Sequence, residues 1–182
     1  MDNLTFRGSD GVTGVHLELD TGLVNVTLAG GAHIDVTGNA LDNVMTVNPI
    51  DSLLGGYGGI GGHDTLTGGA GNDIFKFLSP VDGQDKITDF HNSSNSGTES
   101  DVIAVSAAGF GGELFAGQNL SLGSVFGTSA DATFASGSER FHFDTANQTL
   151  YYSATGSAGS PIAMAQLEAG VALHPTDLHV VA

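Results

Sequence analysis

The sequence predicts an all-β protein whose centre is a stack of glycine turns and short strands repeating every nine residues. Three observations predict it. Large apolar residues return on a fixed beat at Val36, Met45, Leu54, Leu66 and Phe75, broken only by a three-residue insertion around Gly55-Gly56-Tyr57-Gly58. Glycine is 28 of 182 residues, roughly twice average usage, and it clusters in that same region. On either side, apolar and polar residues alternate with the period of two that marks strands.

Residues 1–37 are expected to be strand-rich, degenerate N-terminal coils. Val15, Leu17 and Leu19 alternate with His16 and Glu18, and Val24, Val26 and Leu28 alternate with Asn25 and Thr27. Residues 38–90 hold the repeats. Gly68-Gly69-Ala70-Gly71-Asn72-Asp73-Ile74-Phe75-Lys76 is one unit, and Gly59-Ile60-Gly61-Gly62-His63-Asp64-Thr65-Leu66-Thr67 lies nine residues before it. In residues 91–182 the polar run His91 to Ser100 reads as a loop, Val102 to Val105 as a strand, and Gly112 to Ser121 as room for a short helix. Arg140 to Phe143 and Leu150 to Ser153 flank Asp144 to Thr149 and predict a hairpin. Ile162 to Leu167 and Leu178 to Val181 predict the last strands.

Charge narrows the function. Four basic residues against twenty acidic ones leave a formal charge of −16. An acidic surface repels nucleic acid and anionic membranes. With no cysteine, disulfides, zinc–thiolate sites and thiol catalysis are excluded. No apolar run approaches the length of a transmembrane segment, and Met1-Asp2-Asn3-Leu4 lacks the basic and apolar regions of an N-terminal secretory signal. The chain is therefore expected to stay in the cytosol or to leave the cell by another route. So much unbalanced negative charge opposes compaction, and a bound metal cation is the natural counter-charge.

The repeat supplies the ligands. The unit at 68–76 fits GGxGxDxUx, with U a large apolar residue, and the unit at 59–67 fits it except at Ile60. The six-residue turn lets glycines take positive φ without steric cost, so carbonyls point to one side and the aspartate joins them. The last three residues form a strand whose U side chain points inward. If two nonapeptides complete a coil, each turn stacks on the one eighteen residues away. A calcium ion, which takes 6–8 oxygens, could then collect carboxylates and carbonyls from both turns. The candidate ligands are Gly61, Gly62, His63, Asp64, Gly69, Gly71, Asn72 and Asp73. Asp82 is the expected partner of Asp64, and Asp85 or Asp89, or Asp51 and Ser52 upstream, the expected partner of Asp73. Two to four ions follow from this stacking rule.

These residues carry a resemblance. Residues 35–182, most clearly 59–103, resemble the C-terminal region of RTX (haemolysin-type calcium-binding) proteins exported by type I systems. Gly71 to Phe77 resembles the family's last repeat, Gly83 to Phe90 the segment after it, Asp101 to Ser106 the next strand, and Phe141 to Val181 the closing β segment. Asn43 and Ser52 depart from the pattern where the family has aspartate. The resemblance implies a parallel β-roll with a C-terminal antiparallel β cap and an uncleaved C-terminal secretion signal. It also implies partnership with the type I secretion machinery and a secreted, extracellular protein that folds on binding calcium. The alternative is an adhesin or polysaccharide-binding module, such as the repeat module of an alginate epimerase, with a sugar or cell surface as partner.

Catalysis is not expected in this chain. The seven histidines form no HExxH pair, and no GxSxG nucleophile motif or GK[ST] phosphate loop occurs. His142 is expected to point outward between Phe141 and Phe143, and Glu139 and Asp144 read as solvated charges beside the hairpin. Of Tyr151 and Tyr152, one is expected packed and one exposed.

Overall fold

The computed structural model describes residues 2–7, 15–29, 34–48, 63–81, 84–92, 98–121 and 125–182. Leu54, Gly61, Gly62 and Asp82 fall outside them, as do Asp51 and Ser52.

The chain alternates between two sheets. The six-stranded sheet contains β1 (Asp2–Arg7), β3 (Leu23–Ala29), β5 (Val44–Asn48), β7 (Ile74–Phe77) and β9 (Val102–Ser106), with β14 (Leu178–Val181) on the edge beside β9. All its pairings are parallel. The eight-stranded sheet starts with β2 (Val15–Glu18), β4 (Ile34–Thr37), β6 (Thr65–Thr67) and β8 (Asp85–Ile87), again parallel. It continues through β13 (Ile162–Gln166), β12 (Thr149–Tyr152), β11 (Phe141–Asp144) and β10 (Phe126–Ser129). A four-residue helix, α1 (Ala107–Phe110), follows β9.

One core lies between the sheets. Val36, Met45, Leu66 and Phe75, the residues on the nine-residue beat, are all buried, as are Val26, Leu28, Ile87 and Ile103. Within a strand the pleat sets the inward side: β7 reads Ile-Phe-Lys-Phe, with both phenylalanines buried and Ile74 and Lys76 half-buried. Each fully buried aromatic or aliphatic side chain contributes about 1.5–3 kcal/mol. Phe110, Phe141 and Tyr152 add an aromatic cluster in which the Phe110 and Tyr152 rings meet edge to face at 5.0 Å. The Tyr152 hydroxyl donates to the Phe110 carbonyl at 2.5 Å, which gives the buried phenol its partner.

The fold class is β, but the expected parallel β-roll with an antiparallel cap is not the architecture found. Stacked positions are 19 residues apart in β2–β4 and β3–β5 but 30, 28 or 21 apart farther along, instead of a uniform eighteen. Loops of unequal length separate the strands, so a strict two-nonapeptide coil is not maintained. The eight-stranded sheet is mixed, because β11–β12 and β12–β13 pair antiparallel. The antiparallel strands do not close the core as a separate cap. They extend the same sheet, since β13 pairs parallel with β8.

The hairpin across Asp144 to Thr149 forms as predicted, with Asp144 opposite Thr149. Asp144 accepts hydrogen bonds from the N–H groups of Ala146 and Asn147 and from the Asn147 side chain, which explains why aspartate begins the turn. The short helix falls at 107–110, ahead of the expected 112–121, where the chain makes turns. Among the described residues no helix is long and apolar enough to cross a membrane.

Candidate metal centre

Turn 68–73 stacks directly on turn 38–43, with 98–101 on its other side. Gly69 and Gly71 hold φ of +93° and +121°, the left-handed conformations that the motif requires of glycine. Close approach requires them as well. A Cβ on Gly69 would lie 2.4 Å from the Asn39 carbonyl oxygen, and one on Gly71 would lie 2.9 Å from that of Leu41. A Cβ on Gly68 would lie 2.3 Å from Asp73 Oδ2. Glycines therefore open a cradle lined by carbonyl oxygens, and the aspartate leans into it.

A ladder of side-chain oxygens runs through the stack. The Asn39 N–H donates to Asn43 Oδ1 at 2.9 Å. The Asn43 N–H donates to Asp73 Oδ1 at 2.7 Å, and the Asp73 N–H to Asp101 Oδ1 at 2.8 Å. One residue earlier, the Asn72 N–H donates to Asp42 Oδ1 and the Ser100 N–H to Asn72 Oδ1, each at 2.8 Å. Asn43 thus substitutes for aspartate without breaking the ladder, because its Oδ1 accepts as a carboxylate oxygen would.

Asp73 is fully buried, and its Oδ2 has no hydrogen-bond partner. Burial pushes its carboxyl up to about 7. The Asn43 N–H opposes that shift, while the carboxylates of Asp101, Asp89 and Asp42 add to it. Asp101 is raised too, chiefly by burial, against the N–H groups of Asp73 and His91 that favour its charge. The Nδ1 atom of His91 lies 3.4 Å from Glu99 and 3.7 Å from Asp101 without making a hydrogen bond. Glu168 is raised by burial and by Asp89.

Asp64 and Asp85 form a second stack. The Asp64 N–H donates to Asp85 Oδ1 at 2.8 Å, and both residues are buried. Asp64 thus stacks on Asp85, which the spacing rule had offered to Asp73. Asp73 stacks instead between Asn43 and Asp101, neither of which that rule named as its partner. His63 is exposed, with Nδ1 2.8 Å from the Gln84 carbonyl oxygen. Asp89 accepts the N–H groups of Gly68 and Gly69, each at 2.7 Å, and so caps the cradle from the neighbouring strand end.

The donors around Asp73 fit a hard cation in kind, since they are carboxylate and carbonyl oxygens and one buried carboxylate oxygen lacks a partner. Among the described residues, however, no three acidic or histidine side chains converge on one point. Any ion here would rely on backbone carbonyls beside Asp73. A scan of known protein families and a search of curated proteins match nothing to this chain.

Proposed function

We propose that this chain is a calcium-binding RTX-type module. It folds on meeting extracellular calcium and supports type I export of a larger protein. One observation carries the reading: Asp73 is a fully buried carboxylate with an unpartnered oxygen, and the carboxylates acting on it all raise its pKa. A buried charge of this kind costs several kcal/mol unless a counter-charge reaches it. The −16 charge and the GGxGxDxUx units give independent support.

In this reading Asp73 and the carbonyls of turns 38–42 and 68–71 hold the ion. Calcium would supply the positive charge that four basic residues cannot. Free energy of binding then becomes free energy of folding. Extracellular modules bind at about 10⁻⁴–10⁻³ M, above cytosolic calcium, so the chain would stay loose until export and order afterwards. Calorimetric titration of the whole chain with calcium chloride tests this. Saturable binding that weakens in Asp73→Ala is expected, and a featureless titration would reject the reading.

The adhesin or polysaccharide-binding reading also has an observation in its favour. A cleft of about 540 Å³ lies at the β8–β13 junction, lined by Lys86, Thr88, Asn147, Gln148, Gln166 and Glu168. Amides and a single cation suit hydroxyl-rich ligands. Retention on a neutral polysaccharide column, lost in Gln166→Ala, would favour this alternative.

A further inference from the structure

The outer face at the β10 edge of the eight-stranded sheet carries a second constellation. β10 runs parallel to β11 with Gly127 beside His142 and Ser129 beside Asp144. Ser129 Oγ lies 2.8 Å from His142 Nε2. On the other side of the ring, His142 Nδ1 lies 2.5 Å from Glu139 Oε1. His142 and Glu139 are both 2 % exposed, whereas Ser129 is half-buried and its neighbours Thr128, Ala130 and Asp131 are exposed.

The supporting contacts fix this order. The Ala135 N–H donates to Glu139 Oε2 at 2.6 Å, leaving Oε1 for the imidazole. The Phe134 ring packs on His142 at 5.4 Å. Gly127 makes room, since a Cβ there would lie 2.0 Å from Glu139 Oε1. A carboxylate on Nδ1 selects the tautomer that leaves Nε2 free to accept a proton. Ser129 Oγ also has competing acceptors in Asp131, Oδ1 at 2.9 Å and the backbone carbonyl at 3.1 Å.

We infer that Ser129, His142 and Glu139 form a nucleophilic serine site acting on short-chain acyl esters, independent of the calcium reading. Ser129 Oγ attacks the ester carbonyl carbon as His142 Nε2 takes the hydroxyl proton. The carbon–oxygen bond to the alcohol breaks, and the alcohol leaves with that proton. Water then attacks the acyl-serine, again giving its proton to Nε2, and releases the acid with Ser129 restored. Glu139 is a positioning residue that keeps the ring in register. The half-buried serine lies among exposed Thr128, Ala130 and Asp131, so a small ester reaches it directly from solvent.

The test is covalent labelling of the whole chain with a fluorophosphonate, mapped by mass spectrometry, beside hydrolysis of p-nitrophenyl acetate. Modification confined to Ser129 is expected. It should disappear in Ser129→Ala and slow at least about 100-fold in His142→Gln, and Glu139→Gln should lower kcat with KM unchanged. Ser129→Cys gives a readout that does not depend on turnover. The parent chain has no cysteine, so this variant carries a single thiol. That thiol should react with iodoacetamide at pH 6.5 about tenfold faster than free cysteine, because the imidazole favours the thiolate. Labelling that is absent, falls on another serine or ignores His142→Gln would overturn the assignment. So would a thiol in Ser129→Cys that reacts no faster than free cysteine.

Discussion

Replacing Asp73 with asparagine should have opposite effects with and without calcium. Asparagine keeps an oxygen for the Asn43 N–H, and Asn43 already fills the same position one turn earlier. Only the charge is lost. Without metal, the folded Asp73 carboxyl titrates near 7 against a reference of 3.8. The folded state therefore binds the proton more tightly than the unfolded one. Stability is fully present below pH 3.8 and falls as pH rises to about 7, then stays low. The difference of about three pK units corresponds to about 4 kcal/mol at pH 8. Asp73→Asn escapes that loss, so in EDTA at pH 8, where the parent is largely unfolded, it should recover β structure, a gain equivalent to about 8–16 °C of melting temperature at this chain length. At pH 4 the two should nearly coincide. In millimolar calcium the order should reverse, because the ion stabilises only the carboxylate form. Thermal denaturation by circular dichroism at pH 4 and 8, with EDTA or calcium, measures all of this. A variant less stable than the parent in EDTA at pH 8, or one that gains equally from calcium, would refute the reasoning.

Other outcomes follow from the same contacts. Gly71→Ala places a side chain at φ +121° and against the Leu41 carbonyl, so it should cost at least about 1–3 kcal/mol in urea unfolding. Phe75→Ala empties a fully buried position and should cost about 3–5 kcal/mol in the same assay. Tyr152→Phe removes the donor to the Phe110 carbonyl and should cost about 1–3 kcal/mol. Hydrogen bonds from Asn147 and Ala146 hold the Asp144 carboxyl below its usual range. Its contribution is therefore present at neutral pH and lost on acidification, and the exchange protection factors of the Ala146 and Asn147 amides should fall below pH 4 in the parent but not in Asp144→Asn.

The inward apolar positions were legible because strand pleating imposes a local period that needs no knowledge of loops. Val26 and Leu28 were identified that way and are buried, and the nine-residue beat added Val36, Met45, Leu66 and Phe75, also buried. Stacking partners were not legible, because they depend on the length of every intervening loop. A uniform eighteen-residue rule paired Asp64 with Asp82, whereas the described chain brings Asp64 to Asp85 across 21 residues and Asp73 to Asn43 across 30. The positive-φ glycines were readable from residue type, since only glycine takes those angles freely. His142 and Glu139 were misjudged for a different reason. Alternation correctly put His142 on the face opposite Phe141 and Phe143, but that face is not solvent here. Residues 130–138 fold over it, with Phe134 against the imidazole and the Ala135 N–H on Glu139. A loop folding back on an outer face leaves no period in the sequence, although Glu139-x-x-His142 beside a serine-rich run was a signal that could have been tested.

Anomalous diffraction from crystals grown with millimolar calcium addresses the central claim most directly. An ion peak about 2.3–2.6 Å from Asp73 Oδ2, shared with carbonyl oxygens of turn 38–42, is the predicted result. Density showing Asp73 without any cation beside it, at calcium concentrations well above millimolar, would contradict the account.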